Sequence, residues 1–567
     1  MRWTSATPAS VLAYVLVPLS APVLVGVTAC GSDEPVVPGQ AEGSGSSGTA
    51  LGSGTTGETS TTDSPVADET GGTEGTPTGE PEPDPEFEPY PARGIRLTEV
   101  YADHGVSVPV VVDGQWVDGD NRNAVLIRGR DTLIRGFWAL DPDFEPRPVQ
   151  GRLTLSYPDG TQEVATKIFE VEGPSVPADL DTNVYFIVPG EMLVPGVRFQ
   201  IELLETTDDL RDTPEPPQAA YPPEPSLLGI EGVEMVLNVV IVPIDHDIGP
   251  GCPEPPEVNE QELEFLSEQL FMQNPVERVE IERRDTIAYT SGLGSFGGLL
   301  SFLADLRVQD GADPAAYYYG VVRPCDGGPS GVGGQAISIP GWPTVNNAWT
   351  RTSVGRWTNS LSNTANTFVH EVGHTQGRRH VACNGNEGGV DPSYPYPSGN
   401  IGVWGFGSFD FTMRSPSSKD YMTYCGNTWV GDWGWGQVAP FIREISSWGA
   451  AGAVPSMGQV LVGLVDPNGG DRVGHEAWFV APGDTQGLVR RGSEALTLVS
   501  DQGRSTRVEA IVTPMGEGEA YAVVAPLPPE LDIARQVEIS RQHAGQRREV
   551  RVVQEVRVGG RVVSVTR

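Results

Sequence analysis

The chain has 567 residues, with 75 acidic against 37 basic side chains, a formal charge of -38, and 70 glycines and 50 prolines. So acidic a chain is repelled by phosphate backbones, whose binding needs Lys and Arg to displace condensed counterions, and this argues against a nucleic-acid partner. At roughly 150 residues per domain the length suits three or four domains, each burying its own core, and is too great for one.

Residues 1–30 carry one early charge, Arg2, then a mostly apolar run interrupted by Pro18 and Pro22, and they end Val27-Thr28-Ala29-Cys30. This resembles a bacterial lipoprotein signal. The resemblance implies cleavage before Cys30, lipidation of Cys30, and an exported protein held at a membrane by lipid alone. Gly31 after the cysteine points to the outer membrane or cell surface. Residues 31–92 hold 13 acidic side chains, no Lys or Arg, and mainly Gly, Ser, Thr and Pro. Such a segment cannot bury enough apolar surface to offset chain entropy and reads as a disordered tether.

The next elements predict a multidomain protein in which an α+β domain lies between two all-β, sandwich-like domains. In 93–210, β-branched runs at 106–112, 124–127, 132–138, 153–157, 184–188 and 199–204 are separated by turns such as Pro158-Asp159-Gly160, and they read as a β-sandwich. Asp118-Gly119-Asp120-Asn121 reads as a turn, because Arg122 and Asn123 break the calcium-loop pattern. Residues 211–231 are Pro-rich and read as a linker. In 232–450 a largely apolar strand at 233–242 is followed by segments of helical spacing at 259–272, 295–306 and 437–448, which marks a distinct α+β unit. Trp429, Trp433 and Trp435 before the last helix read as packing residues. From 454 to 567 only strand patterns return, and these read as a second β-sandwich.

Apart from Cys30, the cysteines are Cys252, Cys325, Cys383 and Cys425, an even number in a compartment that permits disulfides. Two bridges are expected, and three pairings are possible. No CxxC pair exists, which counts against a four-cysteine zinc site.

Residues 370–380 read HEVGHTQGRRH, which matches His-Glu-x-x-His-x-x-Gly-x-x-His. On a helix His370 and His374 project from one face, one turn apart, so both imidazoles reach one zinc ion. Glu371 is placed to take a proton from water rather than to bind metal. Gly377 can adopt the left-handed conformation that stops the helix, and the reversing chain brings in His380 as third ligand. Three protein ligands leave a position open, which is the mark of a catalytic zinc. His104, His246, His475 and His543 have no partner at ligand spacing and read as surface or satisfied core histidines.

The motif resembles the metzincin clan of zinc metallopeptidases, and with Asp420-Tyr421-Met422-Thr423-Tyr424-Cys425 it is similar to the astacin and serralysin branches and to bacterial surface and mucin-cutting metzincins. The resemblance implies a Met-turn at Met422 forming a hydrophobic floor beneath the metal. It implies that Tyr424 can approach the zinc and donate to the oxyanion. It also implies an edge strand at Gln335, Ala336, Ile337, Ser338 and Ile339 that pairs with extended substrate. Position next to one catalytic core favours bridging Cys383 with Cys425, leaving Cys252 with Cys325. The first bridge would clamp the loop 384–420 as a wall of the cleft. The expected activity is a surface-anchored zinc endopeptidase acting on proteins or glycoproteins. The competing readings are an adhesin with a vestigial zinc domain and a zinc amidase acting on cell-wall peptides. Cys252, in Gly251-Cys252-Pro253, could cap the zinc before activation, although the even cysteine count favours a disulfide.

Overall fold

The computed structural model describes residues 2–5, 87–214, 220–385, 387–451, 458–467, 476–499, 505–528, 538–543, 546–548, 553–558 and 561–565. Almost all of the leader and tether reading, Cys30 included, lies outside them. Residues 2–5 form a strand at the edge of the first sheet, antiparallel to Gln162–Val171. The tether expected to run to residue 92 ends sooner. Tyr90 and Ala92 are buried, and their backbones bond to Glu205 and Leu203. An aromatic ring and a small apolar residue give this stretch enough buried surface to dock.

Two antiparallel sheets build the region up to residue 230. One runs Arg2–Ser5, Gln162–Val171, Arg147–Ser156, Arg198–Glu205, Ala220–Leu227; the other includes Gly105–Val112, Ile95–Asp103, Thr132–Leu140 and Val184–Val188 in that order. Burial alternates along Arg147–Ser156, so that Val149, Gly151, Leu153 and Leu155 face inward. The expected linker at 211–231 is corrected here, because Ala220–Leu227 pairs with Arg198–Glu205 as a sheet edge. Proline is tolerated on an edge, where one row of N–H groups has no ladder partner to lose. Residues 124–127, expected as a strand, contribute one isolated bridge between Leu126 and Ile230.

The central region has a mixed sheet in the order Arg278–Arg283, Val236–His246, Tyr317–Val322, Thr352–Arg356, Gly334–Ala336. The first four strands are parallel, and Gly334–Ala336 is antiparallel at the edge. Four α-helices occur among the described residues: α1 Glu260–Gln273, α2 Gly297–Gln309, α3 Leu361–Thr375 and α4 Asp432–Ala451. A reciprocal capping box between Asn259 and Glu262 starts α1. The last helix exceeds the expected 437–448 at both ends and passes through Gly449. Its burial of Trp435, Val438, Phe441, Ile442, Ile445 and Trp448 outweighs the weak helix propensity of glycine.

The C-terminal strands make one seven-stranded antiparallel sheet, in the order Glu476–Pro482, Gln459–Val465, Tyr521–Pro526, Ser505–Pro514, Gly492–Val499, Glu538–His543, Gln546–Arg548. A two-stranded hairpin of Val553–Val558 and Arg561–Val565 follows.

Separate cores for the three regions were expected, and the structure departs from this. Leu97, Val106 and Ile134 of the first region share a core with Leu266, Leu270 and Trp435 of the second. Val242, Leu299 and Ile337 of the second share one with Val462, Phe479 and Val524 of the third. Part of the loop 384–420 also leaves the centre, with Gly405–Gly407 pairing to Gly105–Val112. Trp429 and Trp435 are buried at this junction, donating their indole N–H groups to Gly105 O at 2.7 Å and Val125 O at 3.1 Å. This is the packing role anticipated for them.

Candidate metal centre

Ser360 caps α3 by accepting from the Asn363 N–H, and the helix carries buried His370, Glu371 and His374 on its core face. Thr375 ends it. Gly377 follows at a φ of 86°, with its N–H donated to His374 O at 2.9 Å. A side chain there would put Cβ 2.7 Å from Pro340 O, so the reversal that returns His380 to the helix needs glycine for both conformation and space. The three imidazoles converge, with ring centroids 4.7 Å apart for His370 and His374, 4.6 Å for His374 and His380, and 5.3 Å for His370 and His380.

Backbone carbonyls orient each ring. His370 Nδ1 bonds Tyr421 O at 2.8 Å, His374 Nδ1 bonds Arg378 O at 2.7 Å, and His380 Nδ1 bonds Gly388 O. A carbonyl only accepts, so each Nδ1 carries the proton and each Nε2 presents a lone pair to the centre. His374 Nε2 and His380 Nε2 lie 3.1 Å apart, and His370 Nε2 is buried without a hydrogen bond. Lone pairs aimed at one another at that distance repel unless a cation sits between them. Ligand arms of about 2.1 Å at a tetrahedral angle separate nitrogen atoms by about 3.4 Å, so the constellation could hold a metal ion.

Met422 is fully buried beneath α3, where a Cβ on Gly373 would lie 2.8 Å from its Sδ. Val381 N–H donates to Met422 O at 3.0 Å, tying the segment that carries His380 to this turn. Tyr424 OH is 3.2 Å from His380 Nε2. The bridges Cys383–Cys425 and Cys252–Cys325 are both formed, with S–S distances of 2.06 Å and 2.08 Å. The first closes the loop 384–420 beside the metal site, and the second removes Cys252 as a cap. His246 and His104 are satisfied core groups: His246 bonds Ser291 O and the Cys325 N–H, and His104 bonds Thr132 and the Ile127 N–H. His475 lies outside the described residues.

Glu371 is buried against the edge strand, and its Oε2 has no hydrogen-bond partner. A Cβ on Gly334 would meet Glu371 Cγ at 2.7 Å, so glycine lets the strand approach the helix. Burial, reinforced by the charge of Glu517, holds the Glu371 carboxyl well above the usual carboxylate range. Burial and the neighbouring His380 and His370 push His374 well below the ordinary imidazole value.

Gln335, Ala336, Ile337, Ser338 and Ile339 are all buried along the rim beside α3. The first two lie in the edge strand Gly334–Ala336, which ends before Ile337.

Sequence reasoning missed Glu517, on the turn between Ser505–Pro514 and Tyr521–Pro526. Its Oε1 lies 3.3 Å from His370 Nε2, 3.4 Å from His380 Nε2 and 4.0 Å from His374 Nε2, and its Oε2 accepts from Tyr424 OH. The four groups together form a candidate metal cluster. An acidic residue in a Gly-Glu-Gly turn has no spacing that could announce this role.

No family model matches the chain, and no curated protein matches it. Among solved structures, a calcium-binding mutant of Bacteroides uniformis beta-glucuronidase 2 aligns at 12% identity over 40% of this chain and 27% of that chain, with a TM-score of 0.13. So low a score carries no argument about fold, and the aligned part is about a quarter of that protein's length.

Proposed function

We propose that the chain is a zinc-dependent endopeptidase of the metzincin type, anchored at a bacterial surface through Cys30 and acting on extracellular proteins or glycoproteins. The observation that carries this reading is the set of three imidazole Nε2 atoms turned toward one point by backbone carbonyls, beside the buried carboxyl of Glu371. His370, His374 and His380 would hold the ion, which when bound acidifies water and polarises a carbonyl. Glu371 takes the proton of the attacking water and returns it to the leaving amine nitrogen as the C–N bond breaks. Tyr424 OH, released from Glu517, would donate to the oxygen that gains charge at the attacked carbon. Strand Gly334–Ala336, antiparallel at the sheet edge, would pair with an extended peptide once Gly516 N–H and Pro514 O leave it, with Ile337, Ser338 and Ile339 continuing the same rim. Met422 would supply an apolar floor, and a mixed sheet with α3 packed against its edge strands supports the reading.

The test has two parts. Mass-spectrometric metal analysis of the full chain should find one zinc, lost in His374→Ala. A peptide library should be cleaved by the chain carrying Glu517→Ala, and not when Glu371→Ala is added with zinc retained. Failure to bind zinc, or cleavage that survives Glu371→Ala, overturns the assignment.

A further inference from the structure

The free edge of the rim strand is already paired within the chain. Gly516 N–H donates to Ala336 O at 2.9 Å, and Ile339 N–H donates to Pro514 O at 3.0 Å. This antiparallel register is the one an extended peptide would take. Farther along, Gly341 and Trp342 N–H groups both donate to Gly487 O, at 2.8 Å and 3.0 Å, so a second turn of the C-terminal region meets the chain just beyond the rim. On the opposite side a Cβ on Gly388 would lie 3.5 Å from Gly518, so the turn spans the cleft from the edge strand to the loop that follows His380. At its tip Glu517 directs one oxygen to the three imidazoles and the other to Tyr424.

We propose that Glu517 is a fourth ligand supplied in cis to the metal of this site, and that the turn carrying it occupies the place of the substrate strand, so that the chain as folded is latent. This rests on the zinc reading above. The ligand chemistry fits, because a carboxylate oxygen binds zinc at about the same distance as an imidazole nitrogen. The separations of 3.3 Å and 3.4 Å from two of the nitrogens match the tetrahedral spacing of about 3.4 Å. A site closed by four protein ligands has no position for water, and a strand already paired has no edge for a peptide. Tyr424 OH donates to Glu517, so its proton is already engaged. Contact is tight, since a Cβ on Gly516 would fall 2.7 Å from Ala336 N and 3.1 Å from His374 Cδ2. A larger residue at 516 would therefore dislodge the turn without altering the carboxylate.

The test uses the full chain loaded with Co2+, whose visible spectrum reports coordination, titrated with acetohydroxamate as a small metal-binding probe. Wild type is compared with Glu517→Ala, Glu517→Gln and Gly516→Val, with thermal unfolding run on each. An intramolecular ligand competes at an effective concentration in the millimolar range, so the variants should bind acetohydroxamate on the order of 100-fold more tightly. Their Co2+ spectra before titration should also differ from wild type. Equal affinity and equal spectra in folded, Co2+-loaded wild type and variants would overturn the latency proposal and leave the zinc reading standing. Failure of every form to bind Co2+ or Zn2+ would overturn both.

Discussion

Arg378 and Asp420 form a buried ion pair in which one guanidinium nitrogen lies 3.1 Å from each carboxylate oxygen. The same two residues frame the candidate metal site, because Arg378 O accepts from His374 Nδ1 and Asp420 Oδ1 accepts from Met422 N–H at 2.9 Å. Removing one member of a buried pair leaves an uncompensated charge, at a cost of about 3–5 kcal/mol. Asp420→Ala should lose that much stability in urea unfolding. It should also weaken zinc binding in a chelator competition, since His374 and the Met-turn lose their common brace. Unchanged stability would show that the pair is replaced by solvent.

His104 couples acid stability to the junction of the first two regions. It is fully buried, stacks on Trp435 at 5.6 Å and lies beside Arg130; burial first, then that guanidinium, lower its pKa to about 3. The unfolded chain protonates this imidazole near pH 6.5, whereas the folded chain resists until about pH 3. Between these values the unfolded state binds the extra proton, so stability falls as pH falls, by on the order of 1.4 kcal/mol per pH unit. Chemical denaturation from pH 7 to pH 4 should show this slope, and His104→Gln should flatten it. A slope unaltered by the substitution would assign acid sensitivity to other groups.

The bridge Cys383–Cys425 spans 42 residues of sequence. Loop-closure entropy for that span is worth about 4 kcal/mol at 25 °C. The double substitution Cys383→Ser, Cys425→Ser should lower the midpoint of denaturant unfolding accordingly and loosen the third ligand, His380, more than the helical pair. Protease nicking of the loop 384–420 in the variant reports this directly. Resistance equal to wild type would mean that pairing of Gly405–Gly407 with the first region holds the loop unaided.

Tyr424→Phe removes one hydroxyl at the candidate metal site. In the Glu517→Ala background kcat should fall on the order of 100-fold with KM little changed, the behaviour of a donor that acts on charge developing in the transition state. Zinc content should be retained. A loss confined to KM would reassign Tyr424 to substrate binding.

The parts of the site that are close in sequence were legible before any fold was known. His370, Glu371 and His374 follow from the helical repeat, and Gly377 from the need for a left-handed residue where the chain reverses. Both disulfides follow from the nearness of Cys383 and Cys425 to the same centre. The Pro-rich strand Ala220–Leu227 was read as a linker because proline signals a break, whereas a sheet edge forgives it. The shared cores escaped notice for a related reason: apolar spacing shows that a face is buried, and not what it is buried against.

Local sequence alone therefore placed His370, Glu371 and His374 together, because helix geometry acts over four residues and needs no distant partner, and Gly377 pointed to the reversal that returns His380. Glu517 stands 137 residues beyond His380. Only the docking of the C-terminal sheet along the rim strand decided that its carboxylate would meet the histidines. That docking depends on apolar surfaces of two regions and on backbone pairing between them, and no side-chain spacing along the chain encodes it.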